Sequence, residues 1–304
     1  MRSQDFGVIK DISKQFSREE SLEVFRKMAL IRFFELQVKQ AFDDKLIKVP
    51  IYLSVGQEAV AAALSVAYPN PHIFGQHRCH DLYLAYGGDP AGLADELLHL
   101  PSGCAKGMGG SASIQFHADT TRMYGHDGLM GTQVPISVGY ALGTGTRCLA
   151  VAGDAASEED YVISALGYAA HKKAPVLFVG MDNNLSILTE VKVRRNWKMA
   201  DLAKAFGMSV VEIADDPWTI MHHVYELSKN LPAYLNVHVV RHLWHNGTGT
   251  DGPPEWDRYA LVKSELGQLG LMNDAEKIEN EAKQSAEKLW QARRKVQQGS
   301  GVLL

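Results

Sequence analysis

Two apolar runs without polar alternation dominate the middle of the chain, Cys148-Leu149-Ala150-Val151-Ala152 and Val176-Leu177-Phe178-Val179-Gly180. Such runs read as parallel strands buried on both faces. The helical stretch between them completes a strand–helix–strand unit. Upstream, Leu22, Phe25, Met28, Ala29 and Phe33 recur at helical spacing behind Ser17-Arg18-Glu19-Glu20, which has the form of a capping box. They predict an amphipathic helix to about Ala41. A second helix is predicted from Gln57 to Tyr68, stopping at Pro69-Asn70-Pro71. It carries no charge after Glu58, so it should be buried nearly all round. Val134 to Gly145 predicts a small-residue helix, Leu235 to Val240 a further strand, and Asn273 to Gln298 a charged outer helix. This alternation predicts an α/β fold, a doubly wound, mostly parallel sheet flanked by helices. Residues 51–250 would form the α/β domain, with helical extensions at 1–50 and 251–304.

Composition narrows the class. Of 304 residues, 46% are hydrophobic and 22% charged, the balance of an ordinary globular protein. The net charge of -4 gives no reason to expect nucleic acid or an anionic membrane surface as a partner. No apolar run reaches the roughly 18 residues of a membrane span. The N-terminus, Met1-Arg2-Ser3-Gln4-Asp5, lacks the apolar core of a signal peptide. Cys79, Cys104 and Cys148 form no CxxC pair and are odd in number, so a reducing, cytoplasmic location is expected.

The chemistry sits at the strand ends. Gly153-Asp154-Ala155 closes the first run, and Asp182-Asn183-Asn184 comes after the second. A carboxylate and a carboxamide oxygen are thereby placed past the carboxyl ends of buried strands, where open α/β sheets bind ligands. Hard oxygen donors suit Mg²⁺ or Ca²⁺ bridging to a phosphate. Glycine crowds the segment from Leu100 to Gly110, which predicts a loop in close approach to something. Gly125-His126-Asp127-Gly128 and the polar segment from His245 to Asp251 read as further loops.

An asparagine 29 residues after the Gly-Asp aspartate resembles the pattern of thiamine diphosphate enzymes. Further motifs narrow the likeness to alpha subunits of the 2-oxo acid dehydrogenase first component (pyruvate, acetoin and branched-chain type). They are Gly56-Gln57-Glu58-Ala59, His77-Arg78-Cys79-His80, the run from Gly103 to Ser111, the run from Gly128 to Pro135, and Arg241 followed by His245. The resemblance implies roles for individual residues. Asp154, the Asn183 side chain and the Leu185 carbonyl would hold Mg²⁺. Arg78 and His77 would hold the diphosphate, and the Gly153, Ala155 and Ala156 backbones would approach it at a helix N-terminus. Gly128 and Met130 would face the aminopyrimidine, although Met130 reads equally as core. His245, His80 and Tyr52 would be the catalytic side chains. Glu58 and Gln57 read as helix-start residues, and Asp182 as a structural strand end. Arg194 and Arg195 read equally as a solvated pair or an anchor for an acidic partner.

The departures cluster away from the metal. Tyr52 stands where the family has histidine, Ala155 replaces the second glycine of Gly-Asp-Gly, and Leu243-Trp244-His245-Asn246 replaces His-Gly-His-Ser. The family also uses a glutamate from a second α/β domain to activate the cofactor, and this length leaves no room for that domain. The resemblance therefore implies a separate beta subunit in an α₂β₂ heterotetramer. The expected activity is decarboxylation of a 2-oxo acid, with transfer of the acyl or aldehyde unit to a lipoyl-domain acyltransferase or another acceptor. The alternative is a two-component acyltransferase or transketolase-like enzyme that forms a C–C bond without a lipoyl acceptor.

Overall fold

The computed structural model describes residues 3–243, 245 and 250–299, with side chains as far as residue 295. Trp244 and Asn246, two of the departures from the family pattern, lie outside the described residues. In chain order the elements are α1 (Arg18–Asp43), α2 (Glu58–Ala67), β1 (His72–Phe74), α3 (His80–Ala85), α4 (Pro90–Leu97), β2 (Phe116–His117) and β3 (Arg122–Tyr124). Then come α5 (Gln133–Thr144), β4 (Cys148–Gly153), α6 (Asp160–Lys172), β5 (Val176–Asp182), β6 (Leu185–Ser186), β7 (Thr189–Glu190), α7 (Val191–Arg194) and α8 (Met199–Ala205). The chain continues through β8 (Ser209–Ala214), α9 (Pro217–Leu227), β9 (Ala233–His238), α10 (Arg258–Gln268) and α11 (Met272–Gly299).

The seven-stranded sheet has the order β2-β3-β1-β4-β5-β9-β8. Only the short edge strand β2 pairs antiparallel; the other pairings are parallel. The two apolar runs are its centre, with Cys148 opposite Val176 and Gly153 opposite Met181. Every residue from Cys148 to Ala152 and from Val176 to Met181 is buried. One face packs against α1, α2 and α9 through Phe25, Phe34, Leu64, Leu149, Leu177 and Trp218. The other packs against α5, α6 and α8 through Val138, Val162, Leu166, Phe178 and Met199. The sheet is thus wound on both sides. The C-terminal helix α11 lies along α1 and sinks Trp290 into the same core as the sheet, so its buried face matters as much as its charged one.

Local rules account for the helix starts. Ser17 and Glu20 form the expected capping box of α1. Asp216 caps α9, with Pro217 at its first position. The strand expected at Leu235–Val240 is β9 shifted two residues earlier. Its last residue, His238, pairs with Asp182, and beyond it the chain turns inward as Arg241.

Gly56 fixes where that turn comes to rest. Its φ is +99°, and a Cβ there would collide with the Val240 carbonyl oxygen. The adjacent Val55 carbonyl accepts from His242 N at 2.9 Å. Gly56→Ala is therefore expected to cost about 2–3 kcal/mol from backbone strain and collision. A lower denaturant midpoint with an unchanged m value would show it; an unchanged midpoint would refute it.

Candidate functional site

The chain order reverses between β1 and β4: β3 lies on one side of β1, and β4 and β5 on the other. Such a switch point opens a crevice at the carboxyl ends of the strands. A cavity of about 400 Å³ lies there. The turn after β1 supplies Gln76, His77 and Arg78, and the turn after β3 supplies His126, Gly128 and Met130. The turn after β4 supplies Gly153, Asp154, Ala155 and Ala156; the turn after β5 supplies Asn183, Leu185, Ser186 and Ile187. The segment beyond β9 supplies Arg241 and His245, and Tyr52 and Gln57 come from the loop before α2.

Of the residues singled out in the sequence, this cavity brings together Tyr52, His77, Arg78, Gly128, Met130, Gly153, Asp154, Ala155, Ala156, Asn183, Leu185 and His245. His80 is not among them. It is fully buried behind the wall, its Nδ1 2.6 Å from Glu35 and its Nε2 3.1 Å from the Ser111 hydroxyl. Ser111 Oγ in turn accepts from the Tyr52 backbone N–H, and Glu35 accepts from that of Ser54. Through Ser111 and Glu35, His80 braces the segment that carries Tyr52. Ala156–Glu158 form one 3₁₀ turn, and the helix that follows, α6, starts at Asp160. Ala155 has φ -73°, so its position needs no glycine.

The oxygen pair is oriented by its neighbours. Asn183 Nδ2 donates to Asp251 at 2.8 Å, which turns its Oδ1 the other way. The Asp251 side chain is fully buried and clamped by Arg241, with Nη2 at 3.0 Å. Asp182 accepts from the Asn184 N–H and shapes the turn, as expected for a strand end. The Arg194 side chain is largely buried, and its guanidinium pairs with Asp154 and Glu158. Arg195 is buried beside Glu158 and stacks over Trp197. Asp154 is nonetheless pushed up to about 7, because burial and the Asp182 charge outweigh Arg194. Among the described residues no group of three or more His, Cys, Asp or Glu is placed to hold a metal ion. A cation at Asp154 and Asn183 would have to complete its shell from backbone, water or an anionic ligand.

The opposite wall is basic. Arg78 is buried, its Nη1 donating to the Leu53 carbonyl at 2.6 Å; burial and the nearby Arg241 draw it down to about 9, still charged near neutral pH. His77 is pushed down to about 3 by burial and by Arg78. His245 is lowered for the same reasons. The Tyr52 ring packs edge-on against both imidazoles, with centroids 4.9 Å and 5.6 Å away. Gln57 Oε1, His77 Nδ1, Arg78 Nη2 and His126 Nε2 are buried without hydrogen-bond partners among the described residues. All four belong to residues lining this cavity. Basic groups that depress one another around orphaned polar atoms make a wall suited to an anion.

The sequence alone assigns no role to His126, Gln76 or Asp251, and it presents Gln57 only as a helix start. Asp251 has one weak signal, its place in a polar, glycine-rich segment after a strand.

The family model described as "Dehydrogenase E1 component" matches residues 26–231. The testis-specific pyruvate dehydrogenase E1 component subunit alpha of Rattus norvegicus is 34% identical over 186 residues, covering 59% of this chain and 46% of that protein. The corresponding alpha subunit of Dictyostelium discoideum is 34% identical over 182 residues, covering 58% and 47%. The chain thus spans about half the length of the curated relatives it matches. Among solved structures, a transketolase from Leishmania mexicana superposes with a TM-score of 0.58 at 16% identity, over 89% of this chain and 47% of that one. A transketolase variant from Pichia stipitis superposes at 0.56, also at 16% identity, over 91% and 47%. At that identity the likeness concerns the fold alone.

Proposed function

The chain belongs to the dehydrogenase E1 component family, and from that membership we propose that it is the alpha, diphosphate-binding subunit of a two-component thiamine diphosphate enzyme. The enzyme decarboxylates a 2-oxo acid and passes on the acyl unit. One observation carries the reading: Asp154 and Asn183, at the ends of adjacent strands, face the same cavity as His77 and Arg78.

The residues present fit thiamine diphosphate and Mg²⁺. Orphaned atoms on His77 and Arg78 match an anion's need for donors, and a carboxylate with a carboxamide oxygen is a hard donor pair suited to Mg²⁺. When bound, thiamine diphosphate supplies a carbanion and then an electron sink for the acyl carbon of the donor. The chain's own part is to hold and orient. Asp154, Asn183 Oδ1 and the Leu185 carbonyl would hold the metal, and Arg78 and His77 the diphosphate. Gly128, which has φ +101° and open space where a Cβ would sit, would let the backbone approach the aminopyrimidine. His245, kept neutral by burial and its basic neighbours, can accept or return a proton at an imidazole nitrogen near neutral pH. Tyr52 offers a hydroxyl that can donate or accept a hydrogen bond.

The partner would be a beta subunit in an α₂β₂ assembly, which supplies the activating glutamate. Exposed apolar side chains support a covering chain at the mouth: Met130 and Ile187 line it, and the adjoining Leu129 and Leu188 are each 65% exposed. A cytoplasmic location stays part of the proposal, supported by three free thiols.

The test is co-expression with the beta subunit, followed by a panel of 2-oxo acids with an artificial electron acceptor and with aldehydes. Turnover is expected only from the pair, with the electron acceptor. Full turnover by the alpha chain alone would overturn the split-site reading. Product from aldehydes alone would replace the dehydrogenase by a C–C bond-forming enzyme.

A further inference from the structure

We propose that His126, which no motif assigns, is a cofactor-binding residue whose Nε2–H donates to an acceptor atom of thiamine diphosphate. The inference rests on the cofactor assignment of the preceding subsection and adds a residue to it.

A backbone neighbour sets the tautomer. His126 lies in the turn after β3, between Gly125 and Gly128. The Gly128 backbone N–H donates to His126 Nδ1 at 3.0 Å. A backbone N–H cannot accept, so Nδ1 carries a lone pair and the ring proton sits on Nε2. The turn is held from several sides. The Ser113 hydroxyl donates to the His126 carbonyl. Asp127 accepts from the Leu129 N–H at 3.0 Å and from the Thr132 hydroxyl at 2.6 Å. The side chain is 5% exposed, and burial keeps it neutral by lowering its pKa. The tautomer is therefore fixed by the fold.

Nε2 has no partner among the described residues. Buried donors are almost always satisfied, so the exception calls for a ligand. The ring lines the cavity beside His77, 6.2 Å between centroids, on the same turn as Gly128. His77 is assigned to the diphosphate and Gly128 to the aminopyrimidine. A donor on this turn, beside His77, is placed to meet the cofactor itself.

Two substitutions separate this role from loop support. His126→Asn keeps an acceptor near the Nδ1 position for Gly128 N–H and removes the distal donor. His126→Gln restores a donor near the Nε2 position and gives up the proximal acceptor. The experiment is calorimetric titration of the full chain, assembled with its beta subunit, with thiamine diphosphate in Mg²⁺ buffer; thermal melts confirm folding. His126→Asn is expected to bind about 10- to 100-fold more weakly, the scale of one lost buried hydrogen bond, and His126→Gln to recover most of that loss. Wild-type affinity in His126→Asn, or equal weakening in both variants, would overturn the proposal. Failure of the wild-type assembly to bind would instead strike the cofactor assignment, and this inference with it.

Discussion

Replacing Asp154 with asparagine is expected to abolish Mg²⁺-dependent binding of thiamine diphosphate while leaving the empty chain at least as stable as wild type at pH 8. Asp154 is 5% exposed at the end of β4, and its ionised form is disfavoured by burial and by Asp182. The sign comes from linkage. The folded pKa of about 7 lies above the ordinary value of 3.8, so the native state holds this proton more tightly than the unfolded state. Stability from this group is then lost as pH rises from about 4 to about 7, and the loss levels off above. A tenfold difference in proton affinity is worth about 1.4 kcal/mol, so the ionised carboxylate costs the empty fold a few kcal/mol at pH 8. Asparagine removes that cost, and Arg194 keeps Glu158 as its partner. The stabilising effect should therefore be small near pH 4 and full by pH 7. Binding moves the other way. A neutral amide cannot balance a divalent cation, and affinity should fall by at least about 100-fold, the loss of one charged ligand. Calorimetry with and without Mg²⁺, and thermal melts at pH 5 and pH 8, read both arms. Unchanged affinity would remove Asp154 from the metal site; a melting temperature well below wild type at pH 8 would mean that its charge supports the fold.

Asp154 and Asn183 are legible in the sequence because strand burial leaves a strong mark. An apolar run without alternation needs cover on both faces, and the residues next in the chain then lie past the carboxyl end of a central strand. The supporting groups leave no such mark. Asn183 is oriented by Asp251, 68 positions away, and Asp154 is paired with Arg194, 40 positions away. Contacts of that span are created by topology and have no local periodicity to betray them. Strands β1 and β3, at three residues each, are too short to show a period. His80 is likewise held by contacts distant in sequence. A motif shared with known enzymes placed it near the chemistry. The structure puts it one layer behind, where an imidazole between Glu35 and Ser111 fixes the segment that carries Tyr52.

The glycine-rich segment from Leu100 to Gly110 leads to the other large effect. Its close approach is to a carboxylate. Glu96, fully buried near the end of α4, accepts four backbone N–H groups. Oε2 takes those of Ala105 and Gly107 at 2.7 Å and 2.8 Å, and Oε1 those of Gly109 and Gly110 at 2.6 Å and 3.2 Å. The glycines permit this wrapping: Gly107 and Gly110 have positive φ, and a Cβ on Gly103 would run into Glu96. Glu96→Ala orphans all four donors in a buried site, at about 1–3 kcal/mol each. The sum, about 4 kcal/mol or more, is a large share of the roughly 5–15 kcal/mol that holds a typical domain. Glu96→Gln is the gentler probe: it keeps the volume but points an amide NH₂ at two N–H groups, for about 2–3 kcal/mol. The damage should reach the site, because the loop continues into Ser111, which holds the Tyr52 N–H, and Ala112, which lines the cavity. Hydrogen exchange should show the amides of Ala105, Gly107, Gly109 and Gly110 losing protection in Glu96→Gln before the amides of β4 and β5 do. Equal protection of the loop in variant and wild type would mean that Glu96 does not hold it. The same carboxylate accounts for a fixed wall built from so flexible a composition: four charge-assisted hydrogen bonds replace the side-chain packing that glycines cannot provide.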